Sequence, residues 1–387
     1  MKKAVQIGGG FVGGVIANDM SEHYDVTVLD VSEKVLAGLK AKFPKLNTSV
    51  CSATDEAKLT AAIKDADIVT AGVPGKYGLK MMETVIRAGK NLSDISFMPE
   101  DFETLSGLAK ENGVTVVPDI GVAPGMSNFL MGRGAALLDE VESAIIYVGG
   151  IPHKLVPPFN YQITWSAADV IEEYTRPARY VKDGKPVVIE AMGELYEKEF
   201  PKVGVLETFI TDGLRSLVNN INAKTMEERT MRWPGHVEQM RVLREMGLFD
   251  ETPRMLGGKE VIPRDVACDL LFPMWKMDPE KGDRDLTVMQ IEVAGYKGGD
   301  YVTHTWDLCD KFDEKTMSNS MGRCTGFTCS IFAQAIDKGL IKEKGVIAPE
   351  KLAGNDALYE FVIAEQARRG IIYTETTKIQ KNVKTRR

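Results

Sequence analysis

The first residues with a chemical use are glycines spaced to hold a pyrophosphate. Gly8, Gly10 and Gly13 fit the pattern G-x-G-x-x-G within Gly8-Gly9-Gly10-Phe11-Val12-Gly13-Gly14. In such a turn the first glycine permits a sharp exit from a strand. The second lets the backbone approach the phosphates, and the third lets the next helix pack closely. Phe11 and Val12 open that helix, whose free N–H groups and partial positive charge favour an anion. Twenty residues past Gly10, Asp30 ends the next apolar run, where its carboxylate can accept both ribose hydroxyls. The same carboxylate repels a 2′-phosphate. Val31-Ser32-Glu33 supplies no arginine to receive one, although Lys34 follows, so NAD is favoured over NADP.

These residues need a parallel sheet behind them. Short apolar runs at Ala4–Ile7, Val26–Asp30, Thr48–Cys51, Asp67–Ala71, Asn91–Ile95 and Thr115–Val117 alternate with helical patterns such as Lys34–Phe43. That alternation predicts an α/β fold with an N-terminal, doubly wound Rossmann sheet over residues 1–125. Ligands of such sheets sit at the carboxyl ends of the strands. Gly72, Val73 and Pro74 therefore become candidates on the nicotinamide side. Asp55 lies by the adenine or caps the helix that starts there. After Gly125 the pattern changes. A helix at Asn128–Leu138 is followed by strands at Ser143–Gly149, Tyr161–Trp165, Tyr180–Lys182, Pro186–Ile189, Leu286–Val293 and Tyr301–Leu308. Strands in succession predict an α+β substrate and dimerisation domain over 126–320, with a mainly antiparallel sheet. Helices within 320–370 return to the first domain, and the basic tail 374–387 is expected to fray.

Composition narrows the class. The chain has 387 residues, 44% hydrophobic, which is ample for packed cores. Lys and Arg total 48 against 55 Asp and Glu, a net charge of −7. That balance disfavours a nucleic-acid partner. The N-terminal apolar run is too short for a signal peptide or a membrane span. Five scattered cysteines point to reduced thiols and a cytoplasmic setting. Cys324 and Cys329 have four residues between them but no second cysteine or histidine pair nearby, and the four histidines form no HxxxH pair, so no metal is expected.

Several segments carry a more specific likeness. They include Pro118-Asp119-Ile120-Gly121-Val122-Ala123-Pro124-Gly125-Met126-Ser127-Asn128, Tyr147-Val148-Gly149-Gly150-Ile151-Pro152 and Pro157-Pro158-Phe159-Asn160-Tyr161. Trp165-Ser166, Glu173-Tyr174, Leu206-Glu207-Thr208-Phe209 and Thr211-Asp212-Gly213-Leu214-Arg215 follow. Thr230-Met231-Arg232-Trp233-Pro234-Gly235-His236 and Ser320-Met321-Gly322-Arg323-Cys324-Thr325-Gly326 complete the set. In this order the chain resembles the saccharopine dehydrogenase (reductase-type) superfamily over residues 1 to about 370. Within it, the likeness is nearest to the L-lysine 6-dehydrogenases, through the Thr211–Arg215 and Arg232–His236 segments. The resemblance implies a cytoplasmic, often homodimeric, metal-free enzyme of amino-acid metabolism. It implies NAD-dependent oxidative deamination of the terminal amine of lysine or a close diamino acid. The product is a semialdehyde that can cyclise.

That chemistry needs a base for the substrate ammonium and a group to activate water on the iminium. His236 is the first candidate, or else a helix-terminal residue. Asp94 and Asp119, at the ends of two Rossmann strands, serve as base, as amine ligand, or as caps. A substrate carboxylate calls for an arginine fork. Arg215 and Arg232 are the candidates, with Arg176 and Arg323 behind them. Glu207 and Asp212 are placed to hold an α-ammonium. Tyr161 and Trp165, alternating on one strand face, would wall a slot for a methylene chain. The alternative is NAD(P)H-dependent reductive condensation of an aldehyde with an amine, as in saccharopine or carboxynorspermidine formation. A more distant one is an NAD-binding regulator without turnover.

Overall fold

In the computed structural model, residues 1–165, 167–381 and 383 are described. Ser166, and Lys384, Arg386 and Arg387 of the basic tail, lie outside the described residues. The chain divides into two compact units. One comprises Met1–Ala136 and Gly322–Tyr373, the other Leu137–Met321 and Thr374–Arg387.

The first unit is built on a seven-stranded sheet. Its strand order is Gly345–Val346, Thr115–Val117, Leu92–Asp94, Ile68–Ala71, Lys2–Ile7, Tyr24–Asp30, Asn47–Val50, and the neighbours pair in parallel. The central strands are apolar along nearly their whole length because helices cover both faces. Ile68–Ala71 is buried at every position. Gln6 is the polar exception among the buried positions of Lys2–Ile7. Its Oε1 accepts from the Thr70 hydroxyl at 2.7 Å, and its Nε2 donates to the Gly8 carbonyl at 3.0 Å. A buried polar side chain persists when its bonds are made, and here those bonds brace the glycine turn. Helix Met126–Ala136 belongs to this unit, not to the second domain as the sequence predicts. Phe129 packs edge-on against Phe332 with centroids 5.2 Å apart. A Cβ on Gly132 would stand 2.5 Å from the Glu350 carbonyl, so only glycine lets the backbones approach this closely.

The second unit carries a nine-stranded sheet. Its path runs Tyr196–Phe200, Gly204–Ile210, Ala223–Arg232, Glu140–Pro152, Asp285–Lys297, Asp300–Lys311, Tyr373–Gln380. Ala178–Lys182 and Lys185–Ile189 branch off it. The sheet is mixed. Ala223–Arg232 and Glu140–Pro152 run parallel beside antiparallel pairs. Two expectations are corrected here. Tyr161–Trp165 is no strand: it makes one isolated bridge, Ile163 to Lys276, and its side chains sink into an aromatic core. The strands over 196–232 carry no apolar run to mark them, because charged residues occupy exposed positions such as Glu197 and Glu199 and also buried ones such as Glu207, Glu228 and Arg229. The segment from Thr374 does not fray as far as Gln380, because it joins the sheet as an end strand. Among the described residues, no helix is long and apolar enough to cross a membrane. The five cysteines form no disulfide.

Candidate cofactor site and a buried polar cluster

The glycine turn has the geometry its spacing predicts. Gly8 sits at φ +92°, and a Cβ there would lie 2.2 Å from the Gly72 carbonyl oxygen. A Cβ on Gly13 would lie 2.1 Å from the Gly8 carbonyl oxygen. Gly10 differs: nothing stands within 4 Å of where its Cβ would be. Two of the glycines thus serve packing, while the third faces open space. Helix Phe11–Met20 starts there with no side-chain cap, so its first N–H groups remain for a ligand. Asp30 accepts from Gly9 N–H at 2.7 Å through one oxygen and from Ser32 N–H at 2.8 Å through the other. These bonds hold the carboxylate beside the turn, and each oxygen keeps a second lone pair. The turn, the open helix end and the fixed carboxylate fit a dinucleotide.

Around this turn the other candidates sort themselves. Asp55 caps helix Glu56–Ile63, accepting from Lys58 N–H at 3.1 Å. Of its two alternatives, the structure shows the cap. Val73 N–H donates to the Ser96 hydroxyl at 3.1 Å, and that hydroxyl donates to Asp94 Oδ1 at 2.6 Å. Asp94 thereby anchors the Gly72–Pro74 loop through Ser96. It is fully buried, its Oδ2 has no hydrogen-bond partner, and burial pushes its carboxyl up to about 7. Ser96 opposes that rise and the Asp119 charge adds to it. Asp119 itself is buried and left-handed, at φ 48°.

The second unit places most of the remaining candidates in one buried cluster. His236 is wholly inaccessible. Its Nδ1 lies 2.9 Å from the Phe159 carbonyl and must donate to it. Its Nε2, 2.9 Å from the Tyr174 hydroxyl, then accepts. Burial, and then the Arg232 charge, pull its pKa down to about 3, so the ring is neutral. Arg232 donates through Nε to the Tyr174 oxygen at 3.3 Å, pairs with Glu173, and lies 4.8 Å above the Tyr161 ring. Tyr161 and Tyr174 pack with Phe209, Phe249 and Trp275, and Trp165 lies against the same core. Arg229 and Thr230 precede Arg232 on the same strand, Ala223–Arg232. There, buried Glu228 accepts from the Thr211 hydroxyl at 2.5 Å and from Gly213 N–H at 3.2 Å. Burial pushes Glu228 up to about 7.

Two family models cover nearly the whole chain. A saccharopine dehydrogenase NADP binding domain matches residues 4–117, and a saccharopine dehydrogenase C-terminal domain matches residues 121–371. The chain belongs to the saccharopine dehydrogenase family. The saccharopine dehydrogenase [NADP(+), L-glutamate-forming] of Pyricularia oryzae is 24% identical, over 92% of this chain and 95% of the relative. The mitochondrial alpha-aminoadipic semialdehyde synthase of Mus musculus is 22% identical over 82% of this chain, which spans 37% of that relative. The apo saccharopine dehydrogenase (L-Glu forming) of Saccharomyces cerevisiae has the same fold. Its TM-score is 0.81 at 19% identity, with 98% of this chain and 100% of that chain covered.

For this family member, the geometry revises the residue roles read from the sequence. His236 is a buried, doubly bonded core residue and not an accessible base. Glu207 accepts from Gly235 N–H at 2.9 Å and Val237 N–H at 2.5 Å, which caps helix His236–Glu245 and occupies the carboxylate meant for an ammonium. Asp212 is held by Arg179, with Nε at 2.9 Å. Arg232 is committed to Glu173, so it is no open fork for a carboxylate. Tyr161 and Trp165 are core aromatics rather than walls of a slot. Arg215 is buried and left-handed, at φ 53°, a conformation that costs a side chain of this size roughly 1–2 kcal/mol. Sequence reasoning missed Gln6, Ser96 and Glu228. For Gln6 and Ser96 the available signal was a polar residue within or just after an apolar strand.

Proposed function

We propose that this chain is an NAD(P)-dependent oxidoreductase acting at a carbon–nitrogen bond, of the saccharopine type. It would split a secondary amine that joins two amino-acid-derived parts, or form that amine from an aldehyde and a primary amine. The observation that carries this reading is the end-to-end likeness to saccharopine dehydrogenases in a chain whose glycine turn leaves Gly10 open. The segments behind the narrower lysine reading favour it less, because Asp212, Arg232 and His236 are spent on the protein's own packing and ion pairs.

Nicotinamide, when bound, supplies the hydride acceptor or donor. The chain's residues supply the rest. The turn at Gly8–Gly13 and the open end of helix Phe11–Met20 bind the pyrophosphate. Asp30 accepts the ribose hydroxyls, which favours the cofactor without a 2′-phosphate. In the oxidative direction the amine gives up a proton and its carbon a hydride, then water adds to the iminium and the carbon–nitrogen bond breaks. Asp94, poised near neutral pH, and Asp119 beside it are the proposed proton holders at the carboxyl ends of the strands. Arg215 is the proposed carboxylate fork.

Asp30 also keeps a second reading in play, since NAD-dependent oxidation of a primary amine needs such a residue. Absorbance at 340 nm with saccharopine or lysine, each with NAD or NADP, separates the readings. Turnover of saccharopine supports the first. Turnover of lysine alone supports the second. NADH binding with neither substrate turned over overturns saccharopine and lysine as substrates and leaves a different amine or a regulator.

A further inference from the structure

In the first unit, the loops that leave two neighbouring strands are locked together. Gly72, Gly75 and Gly78 follow strand Ile68–Ala71, and each faces the segment that follows strand Leu92–Asp94. A Cβ on Gly75 would lie 2.1 Å from the Phe97 carbonyl oxygen. On Gly72 it would lie 3.0 Å from the Ile95 side chain, and on Gly78 3.2 Å from that of Ser96. Glycine at these places lets the two segments close on each other. Both strands end at the carboxyl side of the parallel sheet, where its ligands bind.

One carboxyl lies inside this closed pair of loops. Asp94 Oδ1 accepts from Ser96 N–H at 2.9 Å and from the Ser96 hydroxyl at 2.6 Å. Both bonds fall on the same oxygen. Oδ2 is buried without a hydrogen-bond partner, so a proton on this carboxyl belongs on Oδ2.

The groups around Asp94 supply no cation. Strand Thr115–Val117 pairs with Leu92–Asp94 and leads to Asp119, whose negative charge opposes ionisation of Asp94. Helix Ser320–Asp337 brings Cys329 behind the strand, its thiol 3.5 Å from the Ser93 carbonyl. Burial pushes that thiol up to about 12, so it stays neutral. Lys76, on the other loop, is exposed and lies 4.9 Å over the Tyr77 ring. Among the described residues, ionised Asp94 has no positive partner, and burial holds its carboxyl up at about 7.

Oxidised nicotinamide is a cation and reduced nicotinamide is neutral. In the oxidoreductase reading above, on which this inference rests, the ring belongs at these strand ends. Asp94 then meets a positive charge in one state of the cofactor only. A nearby opposite charge raises a carboxyl's acid constant by about tenfold or more.

We propose that Asp94 follows the redox state of the cofactor near neutral pH, ionised beside oxidised nicotinamide and protonated on Oδ2 beside the reduced form. The proton leaves to solvent as the oxidised form binds. The oxidative direction needs a base and the reductive direction an acid, and Asp94 is set to the form each one uses. Because binding of the oxidised form releases a proton, its affinity rises with pH up to about neutrality and levels off above it. Affinity for the reduced form shows no such rise.

The test is isothermal titration calorimetry of NAD+ and of NADH from pH 6 to pH 8.5, in two buffers of different ionisation heat, so that released protons are counted. For wild type, NAD+ affinity should rise roughly fivefold or more across this range with proton release near pH 7, and NADH affinity should not. Asp94→Asn keeps an oxygen for Ser96 and places an N–H where the proton would sit. Its NAD+ profile should be as level as its NADH profile. Ser96→Ala keeps the carboxyl and removes a bond that favours its charge, so the midpoint for NAD+ should move to higher pH. That second variant decides the matter if circular dichroism shows Asp94→Asn unfolded. Parallel NAD+ and NADH profiles in wild type, a wild-type profile in folded Asp94→Asn, or an unmoved midpoint in Ser96→Ala would each overturn the inference and leave the oxidoreductase reading standing. Binding of neither cofactor would overturn that reading and the inference with it.

Discussion

The His236 ring and the Tyr174 hydroxyl meet at 2.9 Å, with the hydroxyl donating to Nε2 because Nδ1 is already spent on the Phe159 carbonyl. Both ring nitrogens are thus fixed in one tautomer inside a core of aromatics. The pair also links Arg232 and Glu173 to the start of helix His236–Glu245, so its loss loosens three segments together.

His236→Ala should therefore lower stability rather than chemistry. Emptying the site and stranding the Tyr174 hydroxyl should cost about 2–4 kcal/mol, read by urea unfolding. Turnover per folded molecule should keep the wild-type pH profile. A shifted profile with unchanged stability would restore the base role.

The same ring sets a pH response. Its folded pKa, about 3, lies below the ordinary 6.5. The unfolded chain therefore takes up a proton that the folded one refuses. His236 contributes its full stability above about 6.5 and loses it as pH falls toward 3. His236→Asn should flatten that acid limb in a series of unfolding curves from pH 7 to pH 4.

Glu228 has the opposite sign. Its folded pKa is raised from 4.5 to about 7, so the folded chain holds the proton more firmly. Its contribution is complete below the ordinary carboxyl pKa and is lost as pH rises through 7. Glu228→Gln keeps an oxygen for Thr211 and Gly213 and removes the charge. Its Tm should exceed wild type at pH 8 by several degrees and match it at pH 4. Equal gains at both pH values would place the effect elsewhere.

The glycines should separate in behaviour. Gly13→Ala forces a Cβ to 2.1 Å from a backbone oxygen and should destabilise the fold, seen as a fall in Tm without ligand. Gly10→Ala meets no protein atom within 4 Å and should melt like wild type. NADH binding by fluorescence should nevertheless weaken at least tenfold, since the methyl occupies the approach to the pyrophosphate.

Asp30→Ala tests cofactor choice. NADH affinity should fall at least tenfold while NADPH affinity changes little or improves, as measured by titration of the reduced cofactors. Equal losses for both would assign Asp30 to bracing Gly9 and Ser32 alone.

The Rossmann half was legible because each part rests on local chemistry. Gly8 and Gly13 are forced by backbone approach, Asp30 by its place at a strand end, and the order of strands by alternation with helices. The second half was opaque where function was read from residue type. Glu207 looks like an ammonium ligand until the unpartnered N–H groups of Gly235 and Val237 are seen to claim it. Tyr161 and Trp165 have strand spacing, yet their side chains are drawn into one core by Trp275, more than a hundred residues away. Arg232 and Glu173 neutralise each other across a gap in sequence that no spacing rule spans.

The division of the chain into interleaved segments has a consequence for its biogenesis. Residues 1–136 are made before the second unit, but the strand Gly345–Val346 that completes their sheet is made more than two hundred residues later. Until then Phe129 lacks Phe332, and Asp19 lacks Arg369, its buried partner at 2.7 Å. The second unit waits even longer, for Tyr373–Gln380. Neither unit can be finished before residues 345–380 have been made, so the growing polypeptide carries two incomplete cores until then.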